Sequence, residues 1–260
     1  MSEPALLEAR DIEKRFGSVV ALRGANFDLN SGEVHALVGD NGAGKSTLIK
    51  VISGVLQPDG GELLLEGQPV RIHNPQEARR LGIETVYQDL ALAGHLDAAG
   101  NLFLGREKLM PPPLGWLGFL DNKAMHRRAA EEMRHLKIGI KSVERPVLTL
   151  SGGQRQGVAV ARAVAWGTRI VIMDEPTAAL GVRESLMVLE LIRETRNQGI
   201  GIVMISHNLP EVFGVADRIT VMRLGQTIAS FRRDETSMEA IVRMMTGAEA
   251  QYLAAGGSPA

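Results

Sequence analysis

Nine consecutive residues, Gly39-Asp40-Asn41-Gly42-Ala43-Gly44-Lys45-Ser46-Thr47, carry the spacing GxxxxGK[ST]. Chemistry at such a stretch is the holding of a polyphosphate. Gly39, Gly42 and Gly44 let the backbone bend tightly and bring its N–H groups close to anionic oxygens. Lys45 can reach the β- and γ-phosphates of a bound nucleotide, and the Ser46 hydroxyl can bind Mg²⁺. The pattern has meaning only between a strand and a helix. Val34–Val38 before it reads as a buried strand, and residues 48–53 after it read as a helix stopped by Gly54.

Three more polar groups follow apolar runs. Gln88 comes after residues 83–87, Asp174-Glu175 close residues 170–175, and His207 comes after residues 200–205. In a doubly wound sheet the strand C-termini gather at one edge, where ligands bind. There Asp174 could hold Mg²⁺ with Ser46, and Gln88 could join the same ion. Glu175 could polarise an attacking water, and His207 could hydrogen-bond the γ-phosphate. Each has a plainer alternative: paired acids after a strand serve as helix N-caps, and an isolated histidine is often structural. Leu150-Ser151-Gly152-Gly153-Gln154 reads either as a flexible turn or as a small-residue loop opening a helix onto an anion.

The elements that must position these groups are legible in part. Residues 6–12 and 24–29 read as strands of a small antiparallel region, with Phe16 between them. Residues 62–66 and 69–72 read as a hairpin around Gly67, and residues 75–81 as a short helix capped by Asn74. Asp121 or Asn122 caps a helix whose Met125, Ala129, Met133 and Leu136 form one apolar face. Arg127, Arg128, Glu131 and Glu132 are expected mostly on its solvated side. Residues 114–120 read as an apolar loop. Helices are expected at 154–166, stopped by Gly167, at Val182–Asn197 and at 238–245, with a last hairpin at Arg218–Arg223 and 227–231. The resulting fold class is α/β: a phosphate-loop NTPase core with a mostly parallel sheet, an N-terminal antiparallel β subdomain and an inserted α-helical subdomain. One domain is expected over 5–247, its core at 5–89 and 167–247 and its helical part at 90–166. Residues 248–260 read as a loose tail.

The 260 residues are 45% hydrophobic, which fits a globular core, and the formal net charge of −1 leaves no basic excess for a nucleic-acid partner. Cysteine is absent, so neither a disulfide framework nor a thiolate metal site is expected. Residues 1–10 lack the apolar core of a secretory signal, and no stretch approaches the ~18 apolar residues of a spanning helix.

Taken in order, Gly39 to Thr47, Gln88, Leu150 to Gln154, Ile170 to Glu175 and His207 resemble the motif series of ATP-binding cassette (ABC) ATPases over about residues 6–247. The resemblance implies that Phe16 stacks on adenine, Gln88 and His207 are switch residues, and Glu175 is the catalytic carboxylate. It also implies that Ser151, Gly152, Gly153 and Gln154 close over ATP held by a second cassette. One departure stands out: Ala178-Ala179-Leu180-Gly181 ends in glycine where the family usually has Leu-Asp. Residues 82–88, 101–107 and 152–163 resemble ATPases of bacterial monosaccharide importers of the ribose, xylose and fructose kind, and the single cassette resembles the fructose group. The implied partners are a second cassette, a transmembrane permease and, through it, a sugar-binding protein. The implied location is the cytoplasmic face of the inner membrane, with residues 90–120 as a docking surface. Cassette ATPases of translation or DNA repair are the alternative. They carry a second cassette or long coiled coils, which this sequence lacks.

Overall fold

The computed structural model describes residues 4–166 and 168–247, so the helix stop expected at Gly167 and the tail expected from 248 lie outside the described residues. In chain order the first elements are β1 (Leu7–Phe16), β2 (Val19–Leu29), β3 (Val34–Val38), α1 (Lys45–Ile52), β4 (Gly60–Leu65) and β5 (Gln68–Val70). Next come α2 (Pro75–Arg80), β6 (Ile83–Val86), α3 (Ala98–Leu102), α4 (Asn122–His135), α5 (Gly152–Val164) and β7 (Ile170–Asp174). The last are α6 (Val182–Asn197), β8 (Gly201–Ile205), α7 (Leu209–Val215), β9 (Arg218–Arg223), β10 (Gln226–Arg232) and α8 (Met238–Thr246).

Two sheets form. One is antiparallel, in the order β2-β1-β4-β5. The other has six strands in the order β10-β9-β3-β8-β7-β6, all parallel except β10. Strands β3 and β8 are buried at every position, as continuous apolar runs between two covered faces should be. Alternation within them divides the core. Val34, Ala36, Val38, Met173 and Met204 face the helices, while Leu37, Ile172, Val203 and Ile205 face α1 and the antiparallel sheet.

Caps set several boundaries. Asn74 accepts from Glu77 N–H at 3.0 Å and opens α2, while Asp121 accepts from Ala124 N–H at 3.0 Å and opens α4. Ser151 opens α5 through a reciprocal capping box, so that helix starts at Gly152 and not at 154. Likewise α1 begins at Lys45 within the glycine-rich loop, three residues earlier than the apolar pattern suggests. Phe16 ends β1 and pairs with Val19 instead of lying between strands. On α4, Met125, Ala129, Met133 and Leu136 are buried as expected, but Glu132 is buried too. Arg128, four residues before it, reaches its carboxylate at 2.6 Å and satisfies it there.

Candidate active site

The loop between β3 and α1 is built around close backbone approaches. A Cβ on Gly39 would lie 2.3 Å from Met222 O, and one on Gly44 would lie 3.0 Å from Ala21 O. Gly42 has φ +80° with open space around it, so there glycine supplies conformation and not clearance. Gly225 N–H donates to Ala43 O at 3.0 Å and pins the loop to the turn between β9 and β10. Asp40 and Asn41 are exposed on the rim, and Asp40 O accepts from Ala43 N–H at 3.1 Å. Ser46 and Thr47 sit in the first turn of α1, where N–H groups have no intrahelical partner. The helix dipole adds positive potential at that end.

Lys45 Nζ donates to Gly39 O at 2.6 Å and Asp40 O at 3.0 Å, so the ammonium is held across the loop. Burial lowers its pKa, and the carboxylates of Glu175, Asp40 and Asp174 oppose the shift. Conversely, burial and the neighbouring charge of Glu175 raise the pKa of Asp174, while Lys45 and Lys50 oppose that. The lysine and the two acids therefore share one electrostatic environment, although 129 residues separate Lys45 from Asp174.

Sheet register explains the meeting. Leu37 pairs with Ile205, Ile205 with Asp174, and Met173 with Val86. Gly39, Glu175, His207 and Gln88 thus all emerge one or two residues past the same row, at the C-terminal edge. Glu175 takes φ +50°, uncommon for a residue with a Cβ, and its N–H is fixed by Ile205 O at 2.9 Å. His207 Nδ1 lies 2.8 Å from Glu175 Oε1. A carboxylate only accepts, so Nδ1–H donates and Nε2 is left facing outward on a side chain that is 73% exposed. Gln88 is exposed at the end of β6, roughly 14 Å along the sheet from β3 at ordinary strand spacing. Its amide makes no hydrogen bond among the described residues.

Phe16 stands at the β1–β2 hairpin tip, 47% exposed. Its partner Val19 is two residues from Ala21, which packs on Gly44, so the ring lies about 7 Å further along the strand from the phosphate loop.

Ser151 to Gln154 occupy the start of α5, where Ser151 is exposed, Gly152 and Gln154 are half-buried and Gly153 is buried. Ser151 N–H donates to Gln154 Oε1 at 3.0 Å, and Gln154 Nε2 donates to Gly139 O at 2.7 Å. The glycines have a packing role that the sequence does not reveal. A Cβ on Gly152 would lie 2.5 Å from Leu180 Cδ2, and one on Gly153 would lie 3.0 Å from Met187 Cε. No hydrogen bond joins 151–154 to 39–47 among the described residues. Gly181 caps α6 with φ −72° and ψ 164°, values open to any residue, and its N–H donates to Glu184 Oε2 at 3.2 Å.

Two positioning contacts escape a sequence reading. Thr177 Oγ1 donates to Glu211 Oε2, tying the segment after Glu175 to α7. Arg162 of α5 donates to Ala91 O at 2.8 Å and Leu90 O at 3.0 Å, tying that helix to the segment after Gln88.

Residues 22–178 match the family described as ABC transporter. The fructose import ATP-binding protein FrcA of Rhizobium meliloti is 53% identical over 251 residues, covering 96% of each chain. The xylose/arabinose import ATP-binding protein XylG of Sulfolobus acidocaldarius is 48% identical, over 93% of this chain and 94% of its own. Among solved structures, an ATP-binding cassette of an ABC transporter in its ADP conformation aligns with a TM-score of 0.76 at 27% identity, over 97% of this chain and 99% of that one.

Proposed function

Because the chain belongs to the ABC transporter family, as an ATP-hydrolysing cassette, we propose that it powers the uptake of a monosaccharide through a separate permease. The observation that carries the hydrolytic part is the Glu175–His207 hydrogen bond beside Lys45 and Asp174. It puts a base, a proton-bearing imidazole and a cation at the strand edge where a γ-phosphate would lie. The printed functions of the fructose and xylose/arabinose relatives support sugar as the cargo, and the more similar of the two supports fructose.

In this reading Gly39 to Thr47 cradle the phosphates of ATP, and Lys45 turns from its loop carbonyls to the β- and γ-oxygens. Phe16 offers its exposed face to the adenine ring. Glu175 orients and deprotonates the attacking water, and the His207 N–H, turned from Glu175, hydrogen-bonds a γ-phosphate oxygen. Among the described residues no cluster of three or more His, Cys, Asp or Glu could hold a metal alone. That suits Mg²⁺, which keeps waters and phosphate oxygens and needs few protein ligands. Ser46 and Asp174 would hold it, and Gln88 would join from the far end of β6. Bound Mg²⁺ would neutralise charge on the transferring phosphoryl group.

Gly152 and Gly153 pack on Leu180 and Met187, and among the described residues no hydrogen bond joins 151–154 to their own phosphate loop. One phosphate loop and one such helix start per chain support a pair of copies, each closing over the other's nucleotide. Residues 5–89 and 167–247 form the proposed core and residues 90–166 the helical part, whose residues 90–120 meet the permease. No helix of the described residues is long and apolar enough to cross a membrane. The proposed placement is peripheral, at the cytoplasmic face, with a sugar-binding protein reached through the permease and no nucleic acid. The test is ATP hydrolysis per chain against protein concentration, then fructose and xylose uptake with the permease in vesicles. A rate per chain that stays constant on dilution, with no dimer formed, would overturn the paired site.

A further inference from the structure

Residues 109–120 read Leu-Met-Pro-Pro-Pro-Leu-Gly-Trp-Leu-Gly-Phe-Leu, with no acid, amide, hydroxyl or cation among them. The segment folds back on itself. Leu109 and Leu120 form an antiparallel bridge, Met110 N–H donates to Phe119 O at 2.9 Å, and Asp121 N–H donates to Lys108 O at 2.7 Å. Inside the tip, Leu114–Leu117 makes a 3₁₀ turn. Gly115 is buried there, where a Cβ would lie 2.0 Å from Met110 O. The large side chains face outward: Trp116 is 82% exposed, Leu117 73% and Phe119 54%. Apolar groups of this size gathered on a surface mark an interaction site.

Two features select the partner. The three prolines carry no N–H, and the N–H groups of Met110, Gly115, Trp116, Gly118 and Phe119 already donate to carbonyls within the segment. The tip can therefore leave water with few unpaired donors, as entry into an apolar phase requires. It offers neither a free strand edge nor an amphipathic helix face of the kind protein grooves read. Around its base, Lys108, Lys123 and Arg127 are exposed and make no ion pair among the described residues, against the exposed Glu107 and the half-buried Asp121, while Arg128 is held by Glu132 and Arg106 lies 3.8 Å from Glu84. That cationic fringe complements an anionic headgroup layer.

We propose that residues 109–120 insert into the interface of an anionic lipid bilayer, with Trp116 at headgroup level and the basic fringe on lipid phosphates. The assignment rests on the peripheral placement proposed above and divides the stretch given there to the permease: the lipid surface takes residues 109–120 and the permease residues 90–108.

Flotation of the full chain with vesicles of phosphatidylethanolamine and phosphatidylglycerol, beside vesicles of phosphatidylcholine alone, tests it. ATP hydrolysis is measured in solution on the same preparation. Wild type should float with the anionic vesicles and be released by salt. Trp116→Ser with Leu117→Ser should weaken partitioning at least about tenfold and leave hydrolysis unchanged. With Trp166→Phe as background, Trp116 emission should shift to the blue on adding anionic vesicles. Absent flotation of wild type, equal flotation of the double variant or an unshifted Trp116 would overturn the assignment. So would self-association lost in the double variant, or retention only on vesicles holding the permease. Flotation without any ATP hydrolysis by wild type would instead sink the proposed function and leave the lipid contact standing.

Discussion

His207 donates through Nδ1 to Glu175 at 2.8 Å, and this bond joins two strands' ends across the sheet edge. It fixes the imidazole tautomer, which leaves the outward nitrogen an acceptor. Glu175 is held from the backbone side as well, by Ile205 O. A carboxylate placed this firmly would need little reorganisation in the base role proposed for it.

Glu175→Gln keeps the acceptor oxygen toward His207 and removes the base. Turnover should fall on the order of 10²–10⁴-fold while ATP binding persists and a closed dimer accumulates. Single-turnover kinetics and size-exclusion with ATP check both parts. Wild-type turnover in this variant would remove Glu175 from the proposed role.

Lys45→Ala should abolish ATP binding or hydrolysis, because it removes the ammonium held across the loop. The fold should lose little, since among the described residues the Lys45 ammonium donates to carbonyls of its own loop. Titration with a fluorescent nucleotide beside thermal unfolding separates the two. Undiminished affinity would show that the backbone cradle suffices.

Gly181→Asp should fold normally. The backbone there suits any residue, and an added Cβ meets nothing closer than Glu184 Oε2 at 3.7 Å. As an N-cap, aspartate is favoured over glycine by a few tenths of a kcal/mol. The substitution should instead alter cooperativity between two sites. Identical Hill slopes for ATP hydrolysis would dismiss that coupling.

His35 predicts a pH dependence of stability. Burial first, then Arg218, push its pKa down to about 4 from 6.5, against the opposing carboxylates Glu33 and Asp28. Its Nδ1–H donates to Asp28 O at 2.6 Å, and Nε2 accepts from the Thr220 hydroxyl at 2.6 Å. Between those pKa values the unfolded chain binds more protons than the folded one. Stability should therefore be full above about pH 7 and fall as pH drops through 6.5 toward 4, by on the order of 3 kcal/mol at most. Urea unfolding of wild type and His35→Gln across that range checks it. Parallel pH profiles for the two would contradict the assignment.

The sequence by itself determined whatever depends on near neighbours. The phosphate loop, the strand before it, the whole of Val182–Asn197 and the Asn74 and Asp121 caps follow from spacing along a few residues. The order of polar groups at strand ends also named Asp174, Glu175 and His207 before any contact was known. Tertiary structure alone decided which strands lie side by side, and so that Glu175 meets His207 while Gln88 stands three strands from β3. It decided that Glu132 is buried on Arg128, and that Gly152 and Gly153 are needed by Leu180 and Met187. Strand neighbours and clearance are set by chain segments distant in sequence, from 28 residues for Gly152 and Leu180 to 168 for Leu37 and Ile205, and a local pattern carries no record of what packs against it.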